Sequence, residues 1–148
     1  MPMTRKSLAE IAQRMRDIDI AMLSTKTQSG EIASRPMSNN SDVDYDGDSY
    51  FFTYASSQMV ADISADDHVS LAFSVEPGLF SGGGLFIAVT GRADLVRDKA
   101  QFAAHWNPDL DRWFEQGIDT PDLAMIRVKA AHIKYWEGED EGEVTLPA

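Results

Sequence analysis

Val69-Ser70-Leu71-Ala72-Phe73-Ser74-Val75 places an apolar side chain at every second position, a period that a half-buried β-strand satisfies and a helix does not. Four further runs read as strands around it: Ile20 to Thr25, Ser49 to Tyr54, Leu85 to Val96 and Leu123 to Trp136. Turn chemistry separates them. Ser29-Gly30 returns the chain through Glu31 to Met37, Asp46-Gly47 is a hairpin signal, and Pro77 to Gly84 is a glycine-rich connection. Pro36 lacks a ladder donor, which assigns its stretch to a sheet edge or a bulge where a ligand approaches.

The helical signals are short. Ser7-Leu8-Ala9-Glu10 fits a capping box and opens an amphipathic helix to about Asp17, with Leu8, Ile11, Met15 and Ile18 at helical spacing. Ser56 or Ser57 caps a second helix through Ile63, and Asp98-x-x-Gln101 opens a third that carries Phe102 and Trp106. Pro108 and Gly117 bracket a fourth, containing Trp113 and Phe114. About six strands and four short helices, with hairpins early in the chain, predict an α+β fold, mainly antiparallel β, with a curled sheet or small barrel. Glu137 to Glu143 reads as an acidic, solvated tail.

A chain of 148 residues suffices for one domain, and no linker or internal repeat divides it. No apolar run is long enough to span a bilayer, and the charged stretch from Arg5 to Asp17 leaves no room for a signal peptide, so a cytoplasmic location is expected. The absence of cysteine excludes disulfides, thiolate metal sites and cysteine nucleophiles. A net charge of −11 repels a phosphate backbone and argues against nucleic acid as a partner, though not against a small phosphorylated ligand met by local donors.

Several chemical motifs fail on their context. Asp42 to Gly47 opens like a calcium loop, but the twelfth position is Thr53 where a bidentate Glu is needed, and the flanks read as strands. Gly82-Gly83-Gly84 precedes a strand, which a dinucleotide fingerprint does not. His68, His105 and His132 show no metal spacing, and no nucleophile elbow occurs. Trp106, Trp113 and Trp136 fit core packing, while the two on adjacent short helices, Trp106 and Trp113, fit equally an aromatic wall for a planar ligand or second subunit.

Other stretches resemble a known family when taken in order. Ser34-Arg35-Pro36-Met37, Tyr50-Phe51-Phe52-Thr53 with Ser57, and Gly91-Arg92-Ala93-Asp94 are followed by His105-Trp106-Asn107-Pro108 and Arg112-Trp113-Phe114. Gly117-Ile118-Asp119-Thr120-Pro121-Asp122-Leu123, Ile126-Arg127-Val128 and Tyr135-Trp136 complete the series. Together they resemble the general stress protein family of FMN-binding split barrels, within the pyridoxamine 5′-phosphate oxidase-like superfamily.

The resemblance implies a six-stranded split β-barrel over residues 1–137, followed by the tail 138–148. It also implies a homodimer with FMN in the cleft between subunits. Carried over by position, Arg35, Pro36 and Met37 line the flavin, Thr53 and Ser57 sit near its phosphate, and Trp106 and Trp113 form the aromatic side. Two departures stand out. Met59 replaces the lysine of the family's Ser-x-Lys phosphate loop, and the C-terminal Arg-x-His of the true pyridoxamine phosphate oxidases is missing. The resemblance therefore implies an FMN-binding stress-type protein, a flavin-dependent oxidoreductase other than pyridoxamine phosphate oxidase. Its alternative is a non-enzymatic dimeric binding module with an altered cofactor site. No catalytic residue is singled out.

Overall fold

The computed structural model describes residues 7–39, 45–77 and 84–146. Ser7 and Glu10 form the expected capping box, and helix α1 (Leu8–Met15) buries Ile11, Ala12 and Met15. Strands β1 (Ile20–Lys26) and β2 (Ile32–Ser38) follow, then β3 (Asp48–Tyr54) and α2 (Gln58–Ala65). Next come β4 (His68–Val75), β5 (Leu85–Val96), and α3 (Lys99–His105), which Asp98 caps by accepting from Ala100 N–H. Two 3₁₀ turns, Pro108–Arg112 and Gly117–Asp119, precede β6 (Leu123–Glu137) and β7 (Asp140–Thr145). Trp113 and Phe114 fall between those turns, so the fourth helix expected there is two separate turns.

All seven strands join one antiparallel sheet in the order β2-β1-β4-β5-β6-β3, with β7 beside β6 as well. The expected six-stranded split barrel is not formed. Among the described residues no ladder joins β2 to β3, so the sheet is open with these strands as its ends. Ser38 and Asn39 of one edge and Tyr50 and Phe52 of the other border the same small hollow, but they exchange no backbone bonds there. Strand periodicity specifies which face of a strand is buried; closure depends on which edges exchange hydrogen bonds, a pairing that periodicity does not encode. Pro36 does lie on an edge strand, where its missing N–H costs no ladder bond.

Two local expectations also change. Asp46-Gly47 is a turn, with Asp48 N–H donating to Asp46 Oδ1 at 3.0 Å and Gly47 at φ 112°, but it does not close a hairpin because β3 pairs with β6. The tail expected to stay solvated forms β7, whose acidic side chains face water while its backbone pairs with His132 to Glu137. Positions 42–44 of the calcium-like loop and Gly82-Gly83 lie outside the described residues.

The sheet separates two apolar clusters. The larger gathers Ile11 and Met15 of α1, Met59 and Ile63 of α2, and the inward positions of β1, β3, β4, β5 and β6. The smaller holds Phe52, Phe102, Leu110, Phe114, Leu123 and Met125 under α3 and the 3₁₀ turns. Phe51 and Phe52 are adjacent on β3 and so point into different clusters. No described helix is long and apolar enough to cross a membrane.

Candidate functional site

The residues selected by sequence fall into two groups. On β2 the alternation of side chains turns Arg35 and Met37 inward and leaves Ser34 and Pro36 exposed. Met37 packs on the larger core. The Arg35 guanidinium reaches across to β1, donating from Nη1 to Leu23 O at 3.2 Å and to the buried Thr25 hydroxyl at 2.9 Å. Partial burial lowers the Arg35 pKa, and the carboxylate of Asp62 on α2 opposes that shift. Asp62 is only 1% exposed, and its Oδ1 accepts from Gln58 Nε2 at 3.0 Å.

Thr53 is next to last on β3, on the side of Phe51, and the chain turns at Ala55 into α2. Ser57 is the N-cap of that helix. Its hydroxyl accepts from Val60 N–H at 3.3 Å, so one of the helix's four orphan donors is already met. Met59, the residue in the lysine position, is buried in the larger core.

A carboxylate that the sequence reading passed over sits on this turn. Asp122 accepts from Ser56 N–H at 3.0 Å and from the Ser56 hydroxyl at 2.6 Å, and its own carbonyl accepts from Ala55 N–H at 2.7 Å. It holds φ at 66°, the one non-glycine positive φ among the described residues. Both hydrogen bonds from Ser56 lower the Asp122 pKa. A carboxylate whose folded pKa is depressed contributes stability above its unfolded pKa and loses it as pH falls through the folded value. The clamp should therefore persist on acidification below the ordinary aspartate range, about 3.9. The Ser56 amide resonance in an acid titration is the check, and a midpoint at or above that range would contradict it.

Asp122 was within the Pro121-Asp122-Leu123 motif, but nothing in the motif shows that the side chain returns to Ser56. Asp62 carried a clearer signal, a lone carboxylate within the apolar run Met59-Val60-Ala61-Asp62-Ile63.

The tryptophans form the second group. Trp106 packs edge-on against Phe52 at 4.9 Å and Phe114 at 5.9 Å, and donates to Asp111 Oδ1 at 2.9 Å. It is an anchor of the smaller cluster. Trp113 is 66% exposed and borders an open hollow of about 370 Å³ shared with Tyr54, Arg112, Phe114 and Thr120. Both belong to the face of β3 opposite Thr53, so a single chain does not bring them together with Arg35 and Ser57. Trp136 lies exposed on β6 opposite Phe86 of β5.

The histidines remain apart. His105 stacks on Tyr50 with ring centroids 3.6 Å apart, and desolvation lowers its pKa. His68 is exposed beside Asp66 and Asp67 at spacings a cation would accept, but Arg92 already pairs with Asp67 at 3.1 Å.

The arrangement resembles proteins already known. The family model described as pyridoxamine 5′-phosphate oxidase like matches residues 6–146. Protein bli-3 of Neurospora crassa is 26% identical over 144 residues, covering 91% of this chain, and the chain spans 66% of that curated relative's length. A Clostridium acetobutylicum protein related to general stress protein 26 superposes with a TM-score of 0.77 at 20% identity, covering 94% of each chain. General stress protein 26 of Bacillus anthracis gives 0.74 at 22% identity, covering 94% of this chain and 98% of its own. The two superpositions establish likeness of fold, and the family model accounts for nearly the whole sequence: the chain belongs to the pyridoxamine 5′-phosphate oxidase-like family.

Proposed function

We propose that this protein binds a flavin, with FMN as the family's expected form, and works as a stress-type flavin-dependent oxidoreductase on a small substrate. The observation that carries this reading is the family match across residues 6–146. The donor set is consistent with it in part. Arg35 is held in place by two acceptors on β1, and Thr53 and Ser57 bring hydroxyls to the turn before α2. Met59 does not fit a phosphate, because its side chain is in the core.

A bound flavin would supply the electron-transfer chemistry; the chain's residues hold and orient it. Arg35, Pro36 and Met37 would border the flavin from β2, and Thr53 and Ser57 would stand nearer its phosphate end. Trp106 and Trp113 face elsewhere in this chain, so their contribution to such a site would come from a second copy. A homodimer is therefore part of the proposal. Support comes from the outer sheet face, where Met22, Ala72 and Ala88 stand in register beside the exposed pair Phe86 and Trp136. An uncovered apolar strip of this kind fits a protein contact.

Purified protein should be yellow, with flavin absorbance that survives desalting. Colourless protein that takes up neither FMN nor riboflavin at micromolar concentration would remove this reading. The buried Met59 favours a second one, a dimeric binding module without redox activity. Protein that dimerises but takes up FMN only weakly, or holds flavin that no nicotinamide donor reduces, would support it.

A further inference from the structure

We infer that Asp62 and Asp122 are specificity-determining residues that make this site select the flavin ring system without its phosphate. The inference rests on the flavin reading above and concerns the ligand's charged end.

Several hydrogen-bond donors around the first turn of α2 are engaged within the chain. Ser56 gives both its N–H and its hydroxyl to Asp122. The Ser57 N–H donates to Tyr54 O at 3.0 Å, while the Ser57 hydroxyl oxygen accepts from Val60 N–H. Gln58 spends its amide on Asp62. Arg35 spends Nη1 on Leu23 and Thr25. What the turn still offers is the Ser57 O–H, whose oxygen only accepts from Val60, and the backbone N–H groups of Gln58 and Met59, none of them a cation.

Charge then decides the matter. A phosphate group carries about −1.5 to −2 at neutral pH, and it is held by cations and charge-assisted donors. Here the position of the expected cation is occupied by Met59, whose side chain is buried among apolar neighbours. Asp122 places a carboxylate on the same backbone that an incoming anion would use. Asp62, buried further along α2, is the carboxyl group that acts on Arg35. Two carboxyl groups thus flank the turn, inside a protein of net charge −11. A planar, uncharged isoalloxazine meets none of this repulsion, whereas a phosphate meets all of it.

The test compares FMN with riboflavin by calorimetric titration into the full chain and into the double variant Asp62→Asn, Asp122→Asn. Asparagine retains an acceptor for Gln58 and Ser56 and tolerates the left-handed backbone at position 122. In the natural protein FMN should show no advantage over riboflavin beyond about threefold, and any larger advantage for FMN would overturn the inference. In the double variant FMN should gain about tenfold while riboflavin is unchanged, and an unmoved ratio would also overturn it. Thermal unfolding in inorganic phosphate against chloride at equal ionic strength gives a readout that needs no flavin. Phosphate stabilises both proteins as an excluded salt, and it should raise the melting temperature of the double variant by more than that of the natural protein; equal shifts in the two overturn the inference. If neither flavin binds to either protein, the flavin reading fails, and the phosphate comparison alone decides the role of the two carboxylates.

Discussion

Replacing Met59 by lysine is expected to destabilise the fold by several kcal/mol and not to create a phosphate site, because the new ammonium would lose its water in the apolar core and any attraction to the buried Asp62 one turn on would be spent inside the fold. By sequence alone this substitution restores a family feature. The structure reverses its meaning: Met59 is 7% exposed and packs in the larger core with Ile63. Urea unfolding should show the midpoint falling at neutral pH. Burial would depress the amine's pKa in the folded state, so the unfolded state binds the extra proton and the penalty shrinks as pH rises toward about 10. An unchanged midpoint with tightened FMN binding would show that the position 59 side chain leaves the core, and the case for a closed phosphate end would weaken with it.

Gly91→Ala should cost about 3 kcal/mol, lowering the melting temperature of a domain this size by roughly 6–12 °C. Gly91 sits where β5 crosses the register shift of β6, and an added Cβ would run into the backbone carbonyl of Lys129. A backbone atom in a paired strand cannot rotate away as a side-chain tip can. The shift also has a purpose in the sheet. Below it β6 pairs with β3, above it β6 pairs with β7, and at the change of partner Ala130 N–H donates to Gly47 O while Ala131 O accepts from Leu146 N–H. A bulge at such a junction re-aims a long strand so that both partners fit. Gly138 is the control: it has φ 58° and open space around the Cβ position, so Gly138→Asn should shift the melting temperature far less. Equal shifts in the two variants would remove the steric argument.

Much of the local structure was legible because it is governed by neighbours in sequence. The capping box of α1, the Ser57 and Asp98 caps and the bounds of β5 all depend on residues within a few positions of one another. The helix expected to run to Asp17 ends at Met15, where Asn39 Nδ2 takes the carbonyls of Met15 and Ile18 from a distant strand. β7 was unreadable for a related reason. Asp140 to Thr145 carries no apolar alternation, and it becomes a strand because the upper half of β6 presents an unpaired edge.

The candidate site divides along the same line. Arg35, Thr53 and Ser57 could be named from motif alone, because the family pattern is written in residue types. Whether their donors are available could not be. The hydroxyl of Thr25 on Arg35, the carboxylate of Asp122 on Ser56 and the burial of Met59 all come from segments brought together by the sheet.

The sequence by itself determined the alternating strands, their caps and the family to which the chain belongs, since each is encoded in the spacing and kind of nearby residues. Only the tertiary structure decided that the sheet stays open, that the two tryptophans lie apart from Arg35, and that Asp122 takes both donors of Ser56 on the turn before α2. Those outcomes depend on which distant backbone and side-chain groups satisfy one another's hydrogen bonds and charges, and that pairing exists only once the chain has folded.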